Sequence, residues 1–197
     1  MGLCHWRAAA VAGLSFVALG CGSAAAPRYY VNPQADMTLY QKVAVLPFHN
    51  LSAQPLAGER VTRVFVTELI ITDRYRLVEP AEFRAVLKEM DAQPSGDGAY
   101  DPARLKEAAA RVGATGIVRG AVTDYQVQRN GQDEFAVLSF DAELMDVATG
   151  NVVWRGSITR KGSSRFPILG GSSASTLGRL TQEACVELVG GLQKRAF

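Results

Sequence analysis

The stretch 135–160 (FAVLSFDAELMDVATGNVVWRGSITR) constrains the fold more than any other part of the chain. It is rich in β-branched and aromatic residues and alternates apolar with polar. Ala148-Thr149-Gly150 interrupts it with the chemistry of a three-residue hairpin turn, Gly150 taking the left-handed position. That turn sets Leu144 opposite Trp154, Phe140 opposite Ile158 and Glu143 opposite Arg155. One face then holds Phe140, Ala142, Leu144, Trp154, Gly156 and Ile158; the other holds Asp141, Glu143, Arg155 and Ser157. A slip of one residue would put Leu144 against Arg155 and turn the apolar set to the wrong side. A sheet with one apolar face needs a second layer packed on it.

The flanking sequence supplies that layer. Strands are expected at 42–48 (KVAVLPF, ended by Pro47), 75–78 and 117–128, the last joined to 135–147 by an Asn130-Gly131 hairpin. The simplest register of that hairpin puts Arg119 on the face of Phe140, which implies a bulge or a strand end there. A helix is expected over 59–72, with Val61, Val64, Phe65 and Leu69 on one face. Pro80 opens a second, with Phe83, Val86, Leu87 and Met90 at helical spacing. Asp101-Pro102 opens a third, striped by Leu105, Ala108, Ala109 and Val112 and closed by Gly113. The last, over 176–192, turns Leu177, Leu180, Ala184 and Leu188 inward. The order β-α-β-α-α-β-β-β-α predicts an α/β (α+β) fold: one mixed sheet with packed helices, spanning 42–197. No internal repeat is found.

The amino terminus reads as an address. Residues 8–19 (AAAVAGLSFVAL) form an apolar run after a single basic residue, Arg7. A bilayer span takes about 20 apolar residues, so this run suits the core of a secretory signal peptide occupying 1–20. Ala18-Leu19-Gly20-Cys21 resembles a bacterial lipobox. Cleavage between Gly20 and Cys21 would leave Cys21 as a lipidated first residue, and several acyl chains hold a protein firmly to a membrane. Gly22 after the cysteine, where Asp would retain a lipoprotein in the inner membrane, implies an outer-membrane lipoprotein facing the periplasm. Residues 22–41 show no sustained periodicity and read as a tether of at most about 70 Å, with order expected only near Leu39 and Tyr40. Of the three cysteines, Cys4 leaves with the signal and Cys21 is blocked, so Cys185 is expected to be a buried, inert thiol.

The residues for catalysis are sparse. A formal charge of +2 gives no field for nucleic acid. Without the signal, His49 is the only imidazole, placed by the pattern in a loop after the first strand, solvated or capping. No metal-ligand spacing exists and no cofactor is expected. Gly113, Gly116 and Gly120 run from helix into strand, the opposite of a dinucleotide loop. Gly170-Gly171-Ser172-Ser173 precedes a helix but lacks the Lys of a phosphate loop. Asp141 and Glu143 point the same way and invite an acid/base reading, yet Arg155 and Ser157 beside them make a polar cross-strand surface instead.

The lipobox with KVAVLPF, YRLVEPAEFRAVLKEM, ARVGATGIVRGAVTDY and LMDVATGNVVWRGSITR, in this order, resembles the CsgG/LpoB superfamily of bacterial envelope lipoproteins, whose fold is similar to the amino-terminal domain of TolB. The resemblance covers about residues 42–192. It implies a mixed α/β domain without enzymatic activity; one branch forms a curli secretion channel and another activates a peptidoglycan synthase. Two departures matter. The places where the channel branch inserts its pore hairpins offer only residues 126–134 and 159–172, whereas a spanning strand takes about 9–11 residues. The synthase-activating branch has a long disordered arm, and the tether here is short. The expectation is a lipid-anchored, periplasm-facing accessory module that binds an envelope protein, using Asp141, Glu143, Arg155 and Ser157 with the loops 50–58 and 161–173. The alternatives are an activator of a peptidoglycan synthase and a ring-forming secretion or structural homo-oligomer. A hydrolase built on Asp141, Glu143 or His49 is the remaining reading.

Overall fold

Alternate residues of one short strand lie on opposite sides of the sheet and in different cores. In the computed structural model, which describes residues 26–163 and 176–196 apart from 97 and 132, Val43 and Val45 join one cluster while Ala44 and Leu46 join the other. This period-two division makes three layers. Among the described residues the sheet has seven strands: β1 (Arg28–Val31), β2 (Lys42–Val45), β3 (His49–Asn50), β4 (Arg76–Val78), β5 (Gly116–Asn130), β6 (Asp133–Asp146) and β7 (Val152–Lys161). Its order is β1-β7-β6-β5-β2-β4, with β3 alongside β5. β2 is parallel to β4 and β5, and β5, β6, β7 and β1 form an antiparallel series, so the sheet is mixed.

Helices α1 (Ala57–Ile71) and α4 (Leu177–Ala196) cover one face. Val61, Phe65 and Leu69 from α1 and Leu180, Ala184, Leu188 and Leu192 from α4 pack with Phe140, Leu144, Trp154 and Ile158. Helices α2 (Pro80–Glu89) and α3 (Pro102–Arg111) cover part of the other face, where Phe83, Leu87, Leu105, Ala108 and Ala109 meet Ala44, Leu46, Val78, Ile117 and Met145. Both α2 and α3 begin with proline in the first turn, and the Asp101 carboxylate accepts the Ala103 N–H at 2.8 Å. The four helices fall where the apolar spacing places them.

The β6–β7 hairpin has the expected register: Leu144 faces Trp154, Phe140 faces Ile158, and Glu143 faces Arg155, with Gly150 at φ +78°. Pro47 splits what would be one strand into β2 and β3. It has no N–H to give β5, yet Leu46 N bonds Val118 O before it and Leu51 N bonds Val122 O after it.

Three expectations are corrected. Residues 22–41 hold more order than expected: besides the segment near Leu39 and Tyr40, where Tyr40 is buried and donates to Asp146 Oδ2 at 2.8 Å, residues 28–31 form β1 and pair with β7. His49 is not in a free loop but pairs, in β3, with Ala121. In the first hairpin Asn130 pairs with Asp133, so the turn starts at Gly131 (φ +62°) and not at Asn130. The bulge implied by Arg119 is present: the register shifts between Val122 and Asp124. Without that shift Arg119 would sit opposite Leu144, in the core.

Candidate partner-binding face

α2 and α3 cover only the part of their face that lies over β4, β2 and the adjoining ends of β5 and β6. The rest is open, and the registers of β1, β7, β6 and β5 order its side chains in rows. One row runs Arg119–Glu143–Arg155–Tyr30; the next runs Ala121–Asp141–Ser157–Arg28, with His49 beside Ala121. Directly opposed residues on neighbouring strands share a face, so these rows are contiguous patches. The structure thus brings Asp141, Glu143, Arg155 and Ser157 together as the hairpin register requires. It adds Arg119, Arg28 and Tyr30, whose places depend on the β5–β6 and β1–β7 pairings and not on the β6–β7 hairpin.

Glu143 differs from its expected role. It is no solvated surface group: its residue is 3% exposed. Burying a carboxylate is costly unless its charge is matched. Arg119 Nε donates to Glu143 Oε1 at 2.5 Å, and Arg155 reaches Oε2 as an ion pair outside hydrogen-bond alignment. The carboxylate therefore holds two guanidiniums, whose outer faces remain 36% and 58% exposed at Arg119 and Arg155. Asp141, one row away, has its carboxyl pushed up by burial; Arg155 opposes the shift, Glu143 adds to it, and a hydrogen bond from the Ala121 backbone opposes it. No salt bridge to Asp141 is found among the described residues.

An open cleft of about 340 Å³ lies against these rows, between the sheet and the segment leading into α3. Leu46, Pro47, Leu51 and Leu105 supply an apolar wall, Tyr100 and His49 flank it, and Arg119, Asp141, Glu143 and Arg155 line its polar side. Apolar walls facing ordered charges suit recognition of a partner's side chains. Among the described residues, no group of three or more His, Cys, Asp or Glu is placed to hold a metal. None of the helices there is long and apolar enough to cross a membrane. Gly20 and Cys21 lie outside the described residues, as does most of loop 161–173.

The structure defines a class by its architecture: a three-layer mixed α/β domain with one half-open, ionically ordered sheet face. The chain belongs to the peptidoglycan-synthase activator LpoB family, whose model matches residues 22–159, a family of envelope lipoproteins. Among solved structures it is similar to the PelC dodecamer from Paraburkholderia phytofirmans, with 22% identity, a TM-score of 0.59, and coverage of 85% of this chain and 96% of that one. Lipoprotein GNA1162 from Neisseria meningitidis has 17% identity and a TM-score of 0.54, with coverage of 78% and 96%. Protein CT253 from Chlamydia trachomatis has 14% identity and a TM-score of 0.52, with coverage of 79% and 96%. At these identities the likeness establishes the fold. No curated protein matches the sequence.

Proposed function

We propose that this protein is a periplasm-facing outer-membrane lipoprotein, cleaved between Gly20 and Cys21 and anchored through lipid on Cys21. It binds an envelope protein through the open sheet face and acts by contact, without catalysis and without a cofactor. The observation that supports this most directly is the face itself: Glu143 fixes two arginines beside Asp141, which has no salt bridge among the described residues, and apolar side chains line the same cleft. A surface that only needed to be soluble would not bury a carboxylate to hold its arginines in place. The family match over residues 22–159 supports a peptidoglycan synthase as that partner, the protein raising its activity.

The test combines anchor and face. The Cys21→Ser variant is expected to leave the membrane fraction. Photocrosslinkers at Ser157 or Asp141 are expected to capture one membrane-associated protein, and Arg155→Glu is expected to abolish capture. Added to the captured synthase, the purified protein should raise glycan polymerisation. Capture unaffected by Arg155→Glu would remove the face from the reading, and an unchanged polymerisation rate would remove synthase activation.

A second reading, assembly of several copies into a ring, is supported by one feature. Beyond Val122, β5 has no strand on its outer side among the described residues, and its residues from Asp124 onward present an unpaired edge. Mass photometry of the soluble domain separates the two readings, since a monomer at micromolar concentration excludes a self-assembled ring.

A further inference from the structure

β1 fixes where the amino-terminal segment leaves the domain. It pairs with β7 from Arg28 against Ser157 to Val31 against Trp154. Tyr29 locks it in place. The Tyr29 hydroxyl donates to the Glu187 carbonyl at 3.0 Å, and its ring fills the space over Gly191, where a Cβ would fall 2.2 Å from the ring. The Arg195 guanidinium sits 4.9 Å from the ring centroid. Traced backwards, β1 points the way β7 runs forward, toward Lys161. β6 pairs with β7 from Met145 against Val152 to Val137 against Lys161, so that is also the direction of the closed end of the β5–β6 hairpin. The chain leaves toward the hairpin tip.

Two lengths then compare. From Arg28 back to Cys21 there are residues 22–27 and no more, a reach of about 25 Å at full stretch. The row of Arg28 and Ser157 crosses β6 at Asp141, and β6 runs on from there to its end at Asp133, about 27 Å in the same direction. The tether is no longer than the hairpin beside it.

We propose that the tip of the β5–β6 hairpin rests on the headgroup layer of the membrane that holds Cys21, so that lipid and tip are two contacts on one bilayer. The proposal rests on the lipid anchor at Cys21. The composition of the tip fits headgroups better than hydrocarbon: Gln126 and Gln128 are exposed, Arg129 is 78% exposed and pairs with Glu134, and among the described residues there Val127 is the one large exposed apolar side chain. The contact is polar adhesion without insertion. The turn at Ala148 points away from the membrane, about 45 Å from the tip along β6. The open face stands between them, which selects a partner that is itself at the membrane surface.

The test uses the full-length lipidated protein in vesicles of phosphatidylethanolamine and phosphatidylglycerol with an energy-transfer acceptor on the headgroups. A donor is placed on Gln128→Cys or on Ala148→Cys; Cys185 is buried and does not label. Transfer from position 128 is expected to exceed that from 148 severalfold, and about twenty Gly/Ser residues inserted after Gly22 should erase the difference. Equal transfer from both sites, or stronger transfer from 148, in a protein that does bind vesicles would overturn the proposal and leave the anchor intact. A protein that does not bind vesicles at all would overturn the anchor and the proposal together.

Discussion

Replacing Glu143 with Gln removes a charge and little volume, so its effect isolates the ionic clamp on the open face. Breaking a fully buried pair by deleting one partner costs about 3–5 kcal/mol. Here the arginine side chains keep 36% and 58% of their exposure, so water takes over much of the solvation of the stranded cations. The expected cost falls to about 1–2 kcal/mol. For a domain of this size that is about 2–8 °C in Tm. Arg119→Ala should cost more, about 2–3 kcal/mol, because it leaves the buried carboxylate with only the misaligned contact to Arg155. Arg155→Ala should cost less than Arg119→Ala, since the aligned bond at 2.5 Å survives it. Urea unfolding of the soluble domain from Ala26 onward, run as double-mutant cycles of Glu143 with each arginine, measures this directly. A neutral Glu143→Gln variant with no coupling to Arg119 would refute the clamp, as would a larger coupling to Arg155 than to Arg119.

Three further outcomes are expected. Asp141 titrates above its ordinary 3.8 in the fold, so the proton favours the native state and the carboxylate costs stability at neutral pH. Asp141→Asn should therefore match or exceed the parent at pH 7 in thermal melts, and lose that advantage as the pH falls through the native pKa toward the unfolded one. Burial pushes the Cys185 thiol far up, with the charge of Glu68 adding to the shift, and the residue is fully buried. A thiol reagent should modify it in denaturant and not in native buffer, at a rate set by opening of the fold. Gly191→Val should eject the Tyr29 ring and break its bond to Glu187, costing about 1–2 kcal/mol. Trypsin would then cut after Arg28 faster in the variant than in the parent, and equal cleavage rates would show that Tyr29 does not hold the strand.

The legible parts of this fold are those where one local pattern had one solution. The β6–β7 register follows from the Ala148-Thr149-Gly150 turn, which fixes the loop length, and from the faces, because a one-residue slip would expose Trp154 and bury Arg155. The helices follow from apolar spacing and from Pro80 and Asp101-Pro102. The first hairpin needed information that its sequence does not contain, since the bulge at Thr123 is decided by packing: it carries Arg119 across the sheet to Glu143 while leaving Val122 and Tyr125 buried. β1 was missed because four residues are too few to show alternation against a small-residue background, and its partner lies more than a hundred residues away. The same gap concealed half of the candidate face. Asp141, Glu143, Arg155 and Ser157 could be placed from one hairpin, whereas Arg28, Tyr30 and Arg119 reach the face only through pairings that are long-range or irregular. The matching of the buried Glu143 charge is likewise partly tertiary, since Arg119 reaches it from β5 across the irregular hairpin.

The Tyr29 lock bears on how the chain acquires its shape. Among the described elements β1 is the first to be synthesised, yet it docks on β7 and α4, the last two, so it must wait for almost the whole chain. Until it arrives, β7 offers a bare row of amides and carbonyls to any extended segment nearby. The four residues act as a closing seam, and a degradation product lacking them would keep most of the core while becoming prone to aggregate.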